Sequence, residues 1–347
     1  MLPGETQVAI VGGGAVGLCL ACLLSLRGVA CVVLERRTTP QEHSRAIGIH
    51  PPALHVLQTV GVAETLIAVG VQIGGGLAYL DKKCVGRIPL GDVDPVYPFV
   101  LTVPQPVTEA VLTARLLELS PNALFTGANV VSTEPGDNGT CLYIEDVDGG
   151  KRRLRARYVV ACDGKHSALR EAAGIPFRGG KYPDSYLMGD FADNTPFGTD
   201  AALFVTSGGI VESFPLPGEM RRWVARLPER MDTTDAHDLA TIVLERTGFV
   251  VPVETCVWMS PFGIEYRLAA TFYQNNLFLA GDAAHVVSPI GGQGMNLGFL
   301  DARALAEILS ERLKANRADL PTVDAADYER ARRESARTAL RRAELNT

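Results

Sequence analysis

A chain of 347 residues that is 47% hydrophobic and 21% charged has the composition of an ordinary globular protein, with length for two domains or one large one. Its formal net charge of -6 argues against a partner bound mainly by electrostatics, which sets aside a nucleic acid or an anionic membrane surface. Seven cysteines, an odd number scattered through apolar surroundings, fit a reducing compartment better than a disulfide framework, so a cytoplasmic location is expected.

Residues 8 to 26 carry no charge, but Gly12, Gly13 and Gly14 interrupt the run and no basic segment precedes it, so neither a signal peptide nor a membrane span is expected. A strand from Val8 to Val11, a glycine turn and a helix account for the same apolarity. Gly28 stops that helix, a second strand follows, and Glu35 stands at the strand end. This is a βαβ unit. Strand-like runs follow at 99–103, 123–131, 140–146, 157–162 and 277–280, with helices expected at 51–60, 106–119 and 297–315. Residues 76–98 and 176–268 alternate in polarity between Gly and Pro breaks and predict one mostly antiparallel sheet.

Three stretches point to a ligand. The first is Gly12-x-Gly14-x-x-Gly17 with Glu35 beyond it. Its glycines let the backbone approach a pyrophosphate at the positive end of a helix, and the acid is placed to accept from a ribose. This pattern alone does not separate NAD from FAD. The second is "ACDGKHSALR", residues 161–170, where Asp163 follows a strand; taken alone it reads equally as an Asp-Gly turn before a capped helix. The third is "AGDAAHVVSPIGGQGMN", residues 280–296, where Asp282 ends a strand and bare backbone leads into a helix. Asp282 there is placed to hold a polyol hydroxyl.

Together, GxGxxG with its glutamate, DGxxSxxR and GDAAHxxxPxGGQGxN resemble the three fingerprints of the class A FAD-dependent monooxygenases, the flavoprotein hydroxylases typified by para-hydroxybenzoate hydroxylase. "SRAIGIHPPALHVLQTVGV" resembles the family segment that places Arg45 beside the flavin, and "VPQPVTEAVL" the helix start that presents Gln105. "FPLPG" and "RRWV" are similar to the family's substrate sheet. The resemblance covers nearly the whole chain, which stops where many members continue with further helices or a thioredoxin-like domain.

It implies an α/β fold: a glutathione-reductase-like, Rossmann-type FAD domain (1–75, 99–175 and 269–347), an inserted, mostly antiparallel substrate sheet (76–98 and 176–268), and C-terminal helices. The expected FAD contacts are Gly12, Gly14, Ala15, Val16, Gly17, Glu35, Arg36, Arg45, Gln105, Asp163 and Asp282, with Pro289, Gly292, Gly294, Met295 and Asn296 from the last loop. The implied activity is hydroxylation of a phenolic or polyketide-like aromatic by O2, through a flavin C4a-hydroperoxide and with NAD(P)H as reductant. Related reductases or halogenases and a non-catalytic FAD binder are the alternatives; the "WxWxIP" pattern of halogenases is absent. A monomer or homodimer without a metal is expected.

Several residues have plainer readings. Cys19 and Cys22 form a CxxC, but their helix packs on a sheet, so they are expected to act as small buried hydrophobes. His285 is expected to be a hydrogen-bonded structural histidine. Arg330, Arg333, Arg337 and Arg341 share a helical face that suits solvent or a subunit contact. Tyr79, Phe191, Phe204, Phe214, Trp223 and Phe262 are candidate walls of a substrate pocket, and no residue stands out as a catalytic base. An acid at Asn296, in the first turn of a helix, is expected to leave folding unharmed while disfavouring an anionic reduced flavin.

Overall fold

The computed structural model describes residues 2–43, 45–136, 139–227, 235–289, 291–314 and 323–345. Its first sheet is assembled around the opening strand, Glu5–Val11, which pairs in parallel with Cys31–Glu35 on one side and Lys151–Ala161 on the other. Leu124–Thr126 and Leu277–Leu279 extend it in parallel on either side, and Tyr273–Gln274 adds a short antiparallel edge beyond the latter. An antiparallel ribbon, Asn129–Gly136 and Gly139–Glu145, hangs from Lys151–Ala161.

The helix Ala15–Leu26 is apolar all round because it is enclosed on more than one side. Residues 18 to 24 are at most 1% exposed, held between the sheet and the helices Gln105–Leu119 and Gln293–Lys314. Cys19 and Cys22 lie in this packing, and burial pushes the Cys22 thiol up to about 12. They are core atoms, as their surroundings in the sequence suggest.

The second sheet runs in the order His285–Val286, Trp258–Ala269, Phe177–Ala192, Met220–Leu227, Val211–Leu216, Ala201–Val205, Gly75–Leu80, Lys83–Pro89. Every neighbouring pair is antiparallel except Ala201–Val205 with Gly75–Leu80. A small third sheet joins Gly48–Ile49, Val100–Thr102 and Val71–Ile73. This is the expected α/β class, with a parallel sheet, a mostly antiparallel one and C-terminal helices.

Three of the departures from the sequence reading bear on the site. The run 123–131 is two strands, because Gly127 turns the chain at φ +68°. The helix expected at 297–315 starts four residues earlier, at Gln293, where Gly294 was read as loop. Inside the stretch read as sheet lies the helix Ala236–Thr247. Asp235 caps it by accepting from the backbone N–H groups of His237 and Asp238, Asp238 returns a bond to the Asp235 N–H, and Gly248 closes it at φ +81°. That helix covers one face of the second sheet and leaves the other toward the parallel sheet. Among the described residues no helix is long and apolar enough to cross a membrane.

Candidate functional site

The glycine turn is built by close approach. A Cβ on Gly12, which sits at φ +109°, would lie 2.2 Å from the Cys162 carbonyl oxygen, and one on Gly17 would lie 2.0 Å from that of Gly12. Gly14 differs: the nearest atom to its missing Cβ is Glu109 Oε1 at 3.7 Å, and the space beside it opens into a large cleft. Gly12 and Gly17 thus shape the turn, and Gly14, Ala15 and Val16 present it to the cleft.

Glu35 faces the turn without lining the cleft. Its Oε2 accepts from the Gly13 N–H at 2.7 Å, and its Oε1 accepts from the Arg37 N–H at 2.8 Å and Arg37 Nε at 3.0 Å. Burial opposes ionisation, but these bonds outweigh it and hold the carboxyl below its ordinary value. Just past the strand end, Arg37 turns back onto Glu35, and Arg36 is left exposed. Arg37 also reaches Glu109 at 3.9 Å, whose other oxygen accepts from Gln105 Nε2 at 2.8 Å. Glu109, unnoticed in the sequence reading, therefore links the turn to Gln105 on the cleft. Its i+4 spacing from Gln105 on one helix face was the available signal.

The other two stretches meet at a buried arginine. Ser167 Oγ accepts from the Arg170 N–H at 3.0 Å and so caps the short helix Ala168–Ala172. The Arg170 guanidinium donates to the carbonyls of Lys165 at 3.1 Å and Ala283 at 3.2 Å and lies 3.9 Å over the Phe177 ring. This fastens the loop of Asp163 to that of Asp282. Asp163 sits beside the cleft with Oδ1 buried and unpartnered among the described residues. Burial raises its carboxyl, with the Ser167 hydroxyl partly offsetting it.

Asp282 is exposed to the cleft, and desolvation by the cleft walls raises its carboxyl, an effect that His285 and Lys165 only partly offset. Pro289, Gly292, Gly294 and Met295 line the same cleft. Asn296 does not; its side chain is a clasp. Nδ2 donates to the carbonyls of Gly48 at 2.9 Å and Gly292 at 2.6 Å, while Oδ1 accepts from the His50 N–H at 2.8 Å. His50, another residue the sequence reading passed over, lines the cleft, and burial lowers its pKa.

The cleft, about 680 Å3 in volume, lies between these loops and the free face of the second sheet. Arg45 crosses it: Nε and one terminal nitrogen each lie 3.2 Å from Ser260 Oγ, and the guanidinium is 5.3 Å from the Phe262 ring centroid. Arg222 donates two bonds to the Asp190 carboxylate, at 2.6 and 2.7 Å, and a third to the Arg45 carbonyl at 2.8 Å. Of the six aromatic candidates, Phe214 and Phe262 line the cleft. Tyr79, Phe191, Phe204 and Trp223 are on the opposite face, packed under the helix Ala236–Thr247. The β-rich pattern around that helix hides it in the sequence, and with it the burial of this face.

Behind Asp282 is a fully buried assembly. His285 Nε2 and Asp301 Oδ2 are 2.6 Å apart, the Gly281 N–H donates to the same oxygen at 3.0 Å, and Arg332 Nε donates to Asp301 Oδ1 at 2.6 Å. His285 is thus a hydrogen-bonded structural histidine, as expected.

Comparison with known proteins meets this geometry. The family described as "FAD binding domain" matches residues 5–343. The chain belongs to the FAD-binding, class A flavoprotein monooxygenases. Among similar members of that family is an uncharacterised aromatic compound monooxygenase, YhjG, of Bacillus subtilis, 30% identical over 98% of this chain and 68% of its own length. The rifampicin monooxygenase of Streptomyces venezuelae is 32% identical over 85% of this chain and 62% of its own. The chain thus spans about two thirds or less of the length of such relatives. A crystal structure of p-nitrophenol 4-monooxygenase from Pseudomonas putida superposes with a TM-score of 0.89 at 25% identity, covering 99% of this chain and 89% of that one.

The residues present fit the flavoprotein family's cofactor. Two helices, Ala15–Leu26 and Gln293–Lys314, bring their first turns to one cleft, and neither carries an acid there. Unpaired N–H groups at such ends favour an anion. Asp282 adds a carboxylate that faces the cleft, ready for hydroxyl donors.

Proposed function

We propose that this flavoprotein hydroxylates an aromatic substrate, using O2 and NAD(P)H, and that a phenolic or polyketide-like ring enters the cleft from the second sheet. The observation that carries this is the cleft's two unlike walls. One is backbone N–H groups at two helix ends, and the other is an apolar sheet face with Met188, Phe214, Val224 and Phe262. Bound FAD would supply electron transfer from NAD(P)H and activation of O2.

The chain's own contribution is orientation and exclusion of water. Gly14, Ala15 and Val16 would receive the diphosphate, Gln105 and Asp282 would bind the polar chain between diphosphate and ring, and Gly292, Gly294 and Met295 would face the ring's polar edge. Gly12 and Gly17 would shape the turn, and Glu35 and Asp163 would act at its margins. Arg36 is exposed, so Arg37 through Glu35 is the better-supported arginine. We assign the cofactor unit to 1–75, 99–175 and 269–347 and the substrate unit to 76–98 and 176–268, a division supported by the strand pairing, with His285–Val286 reaching across it.

Purified protein supplied with FAD should consume O2 and NAD(P)H when given an accepted aromatic, and the product should gain one oxygen by mass. NAD(P)H oxidation with a reduced product instead would favour the reductase reading. Asp282→Ala removes a carboxylate acceptor and is expected to weaken FAD binding about 10- to 100-fold, equivalent to ~1.5–3 kcal/mol. Titration of the apoprotein followed by flavin fluorescence checks this, and unchanged affinity would exclude Asp282 from the contact.

A further inference from the structure

Glu212 occupies a position on the cleft wall that the scheme above does not use. It lies within the strand Val211–Leu216, opposite Leu203 on one neighbour and Val224 on the other. Alternation sends Val211 and Ser213, both fully buried, to the covered face, and sends Glu212 and Phe214 to the cleft. Around it the wall is apolar: Met188, Leu203, Phe214, Val224 and Phe262.

Among the described residues no protein group offsets this carboxylate. Desolvation alone pushes it up to about 7, with no cation or N–H working against it. The cleft's guanidiniums are engaged elsewhere, Arg222 by Asp190 and Arg45 by Ser260. The strand Ala201–Val205 carries no titratable residue. From Phe177–Ala192, Tyr186 feels the Glu212 charge, but Asp184 acts on it as well and Arg226 in the opposite sense. A polar atom facing an apolar wall without a partner is costly unless something else completes it.

Building on the aromatic reading above, we propose that Glu212 selects the substrate: it accepts a hydrogen bond from an O–H or N–H on a neutral aromatic ring and excludes rings carrying an anion at that position. The hydrogen bond would complete the wall. A carboxylate or phenolate there would set two negative charges together in a desolvated space. A ring without a donor would leave the carboxyl unpaired, which is the stronger form of discrimination.

The test uses the FAD-loaded protein and follows flavin absorption on titration with phenol, 4-chlorophenol, 4-nitrophenol and 1-naphthol, their methyl ethers, and benzoate. At about pH 8, where Glu212 is ionised, the wild type should bind phenol, 4-chlorophenol and 1-naphthol at least ~10-fold more tightly than their ethers or benzoate. Its affinity for 4-nitrophenol should fall at least ~10-fold between about pH 6 and pH 9, where both partners are ionised. Glu212→Gln keeps the shape and an acceptor but not the charge, so at the higher pH it should bind 4-nitrophenolate more tightly than the wild type does. Glu212→Leu should lose the preference for phenols over ethers. FAD content checks the folding of both variants.

Parallel pH profiles in wild type and Glu212→Gln would overturn the assignment while leaving the aromatic reading intact. So would equal binding of phenols, ethers and benzoate by the wild type. Failure of every aromatic both to bind and to accelerate NAD(P)H oxidation would overturn the aromatic reading, and Glu212 with it.

Discussion

Replacing Arg332 by Ala should destabilise the protein by about 3–5 kcal/mol, the cost of leaving a buried ion without its partner. Asp301 is fully buried and rests on three donors from two segments: Arg332 from the last helix, and His285 and the Gly281 backbone from one loop. Burial works against its ionisation, but His285 and Arg332 outweigh that and hold the carboxyl below its ordinary value. Its stabilisation is therefore present above the unfolded carboxyl's pKa and lost as pH falls through the lower folded value. Urea denaturation at neutral pH reads the loss, and the double variant Arg332→Ala, Asp301→Asn should be less destabilised than the two singles summed. Additive losses would mean that the pair is not coupled as its geometry requires. Because Gly281 precedes Asp282, the Arg332 variant should also retain less FAD.

Asn296→Asp should be nearly as damaging, which reverses the expectation drawn from helix polarity alone. The helix end itself would welcome the acid. The Asn296 Nδ2, however, donates to two carbonyl oxygens, and the residue is only 8% exposed. Aspartate would set an oxygen against both, forfeiting two hydrogen bonds and adding repulsion, a loss of about 2–4 kcal/mol. Protonation would restore one donor, so the variant should be relatively more stable at acidic pH. Thermal unfolding across pH, with FAD retention measured alongside, tests this. A variant as stable as the wild type at neutral pH would show that the clasp contributes little.

Glu212 makes a smaller, opposite contribution to pH dependence. Its folded pKa, about 7, is raised, so any stabilisation it brings is complete below the unfolded carboxyl's pKa and is lost as pH rises through about 7. Glu212→Gln should remove that slope. Between about pH 5 and 8 the wild type should lose on the order of 1–3 kcal/mol more than the variant, measured on substrate-free protein by denaturant unfolding.

Much of the fold was legible because local and global signals agreed. The Val8–Val11 run, the glycines after it and Gly28 each had one good local solution. The helix Ala236–Thr247 was missed although Asp235, Asp238 and Gly248 mark both its ends, since the surrounding β-rich pattern dominated the reading. That omission exchanged the faces of Phe191, Phe204 and Trp223. At the site, residues fixed by backbone geometry, such as Gly12 and Gly17, could be read from spacing. Arg332 and Glu212 could not, because each takes its meaning from a partner, or the lack of one, far away in the chain; Glu109 carried a local signal in its i+4 spacing from Gln105. Asn296 was legible as a position and misread as a role, because a side chain that bonds Gly48 and His50 announces nothing in its own neighbourhood.

The two helix ends that meet at the cleft have an evolutionary corollary. Peptide N–H groups are supplied by every residue except proline, so a codon change there alters the contact only when it adds a Cβ where none fits or displaces the turn. The part of a ligand held in this way tolerates drift in the neighbouring side chains, though not at Asp282. The opposite wall presents mostly side chains, Met188, Phe214, Val224 and Phe262 among them, and substitutions there are felt by whatever lies against them. One half of the cleft can therefore stay constant while the other diversifies, and a lineage can acquire new substrates without renegotiating its hold on the cofactor.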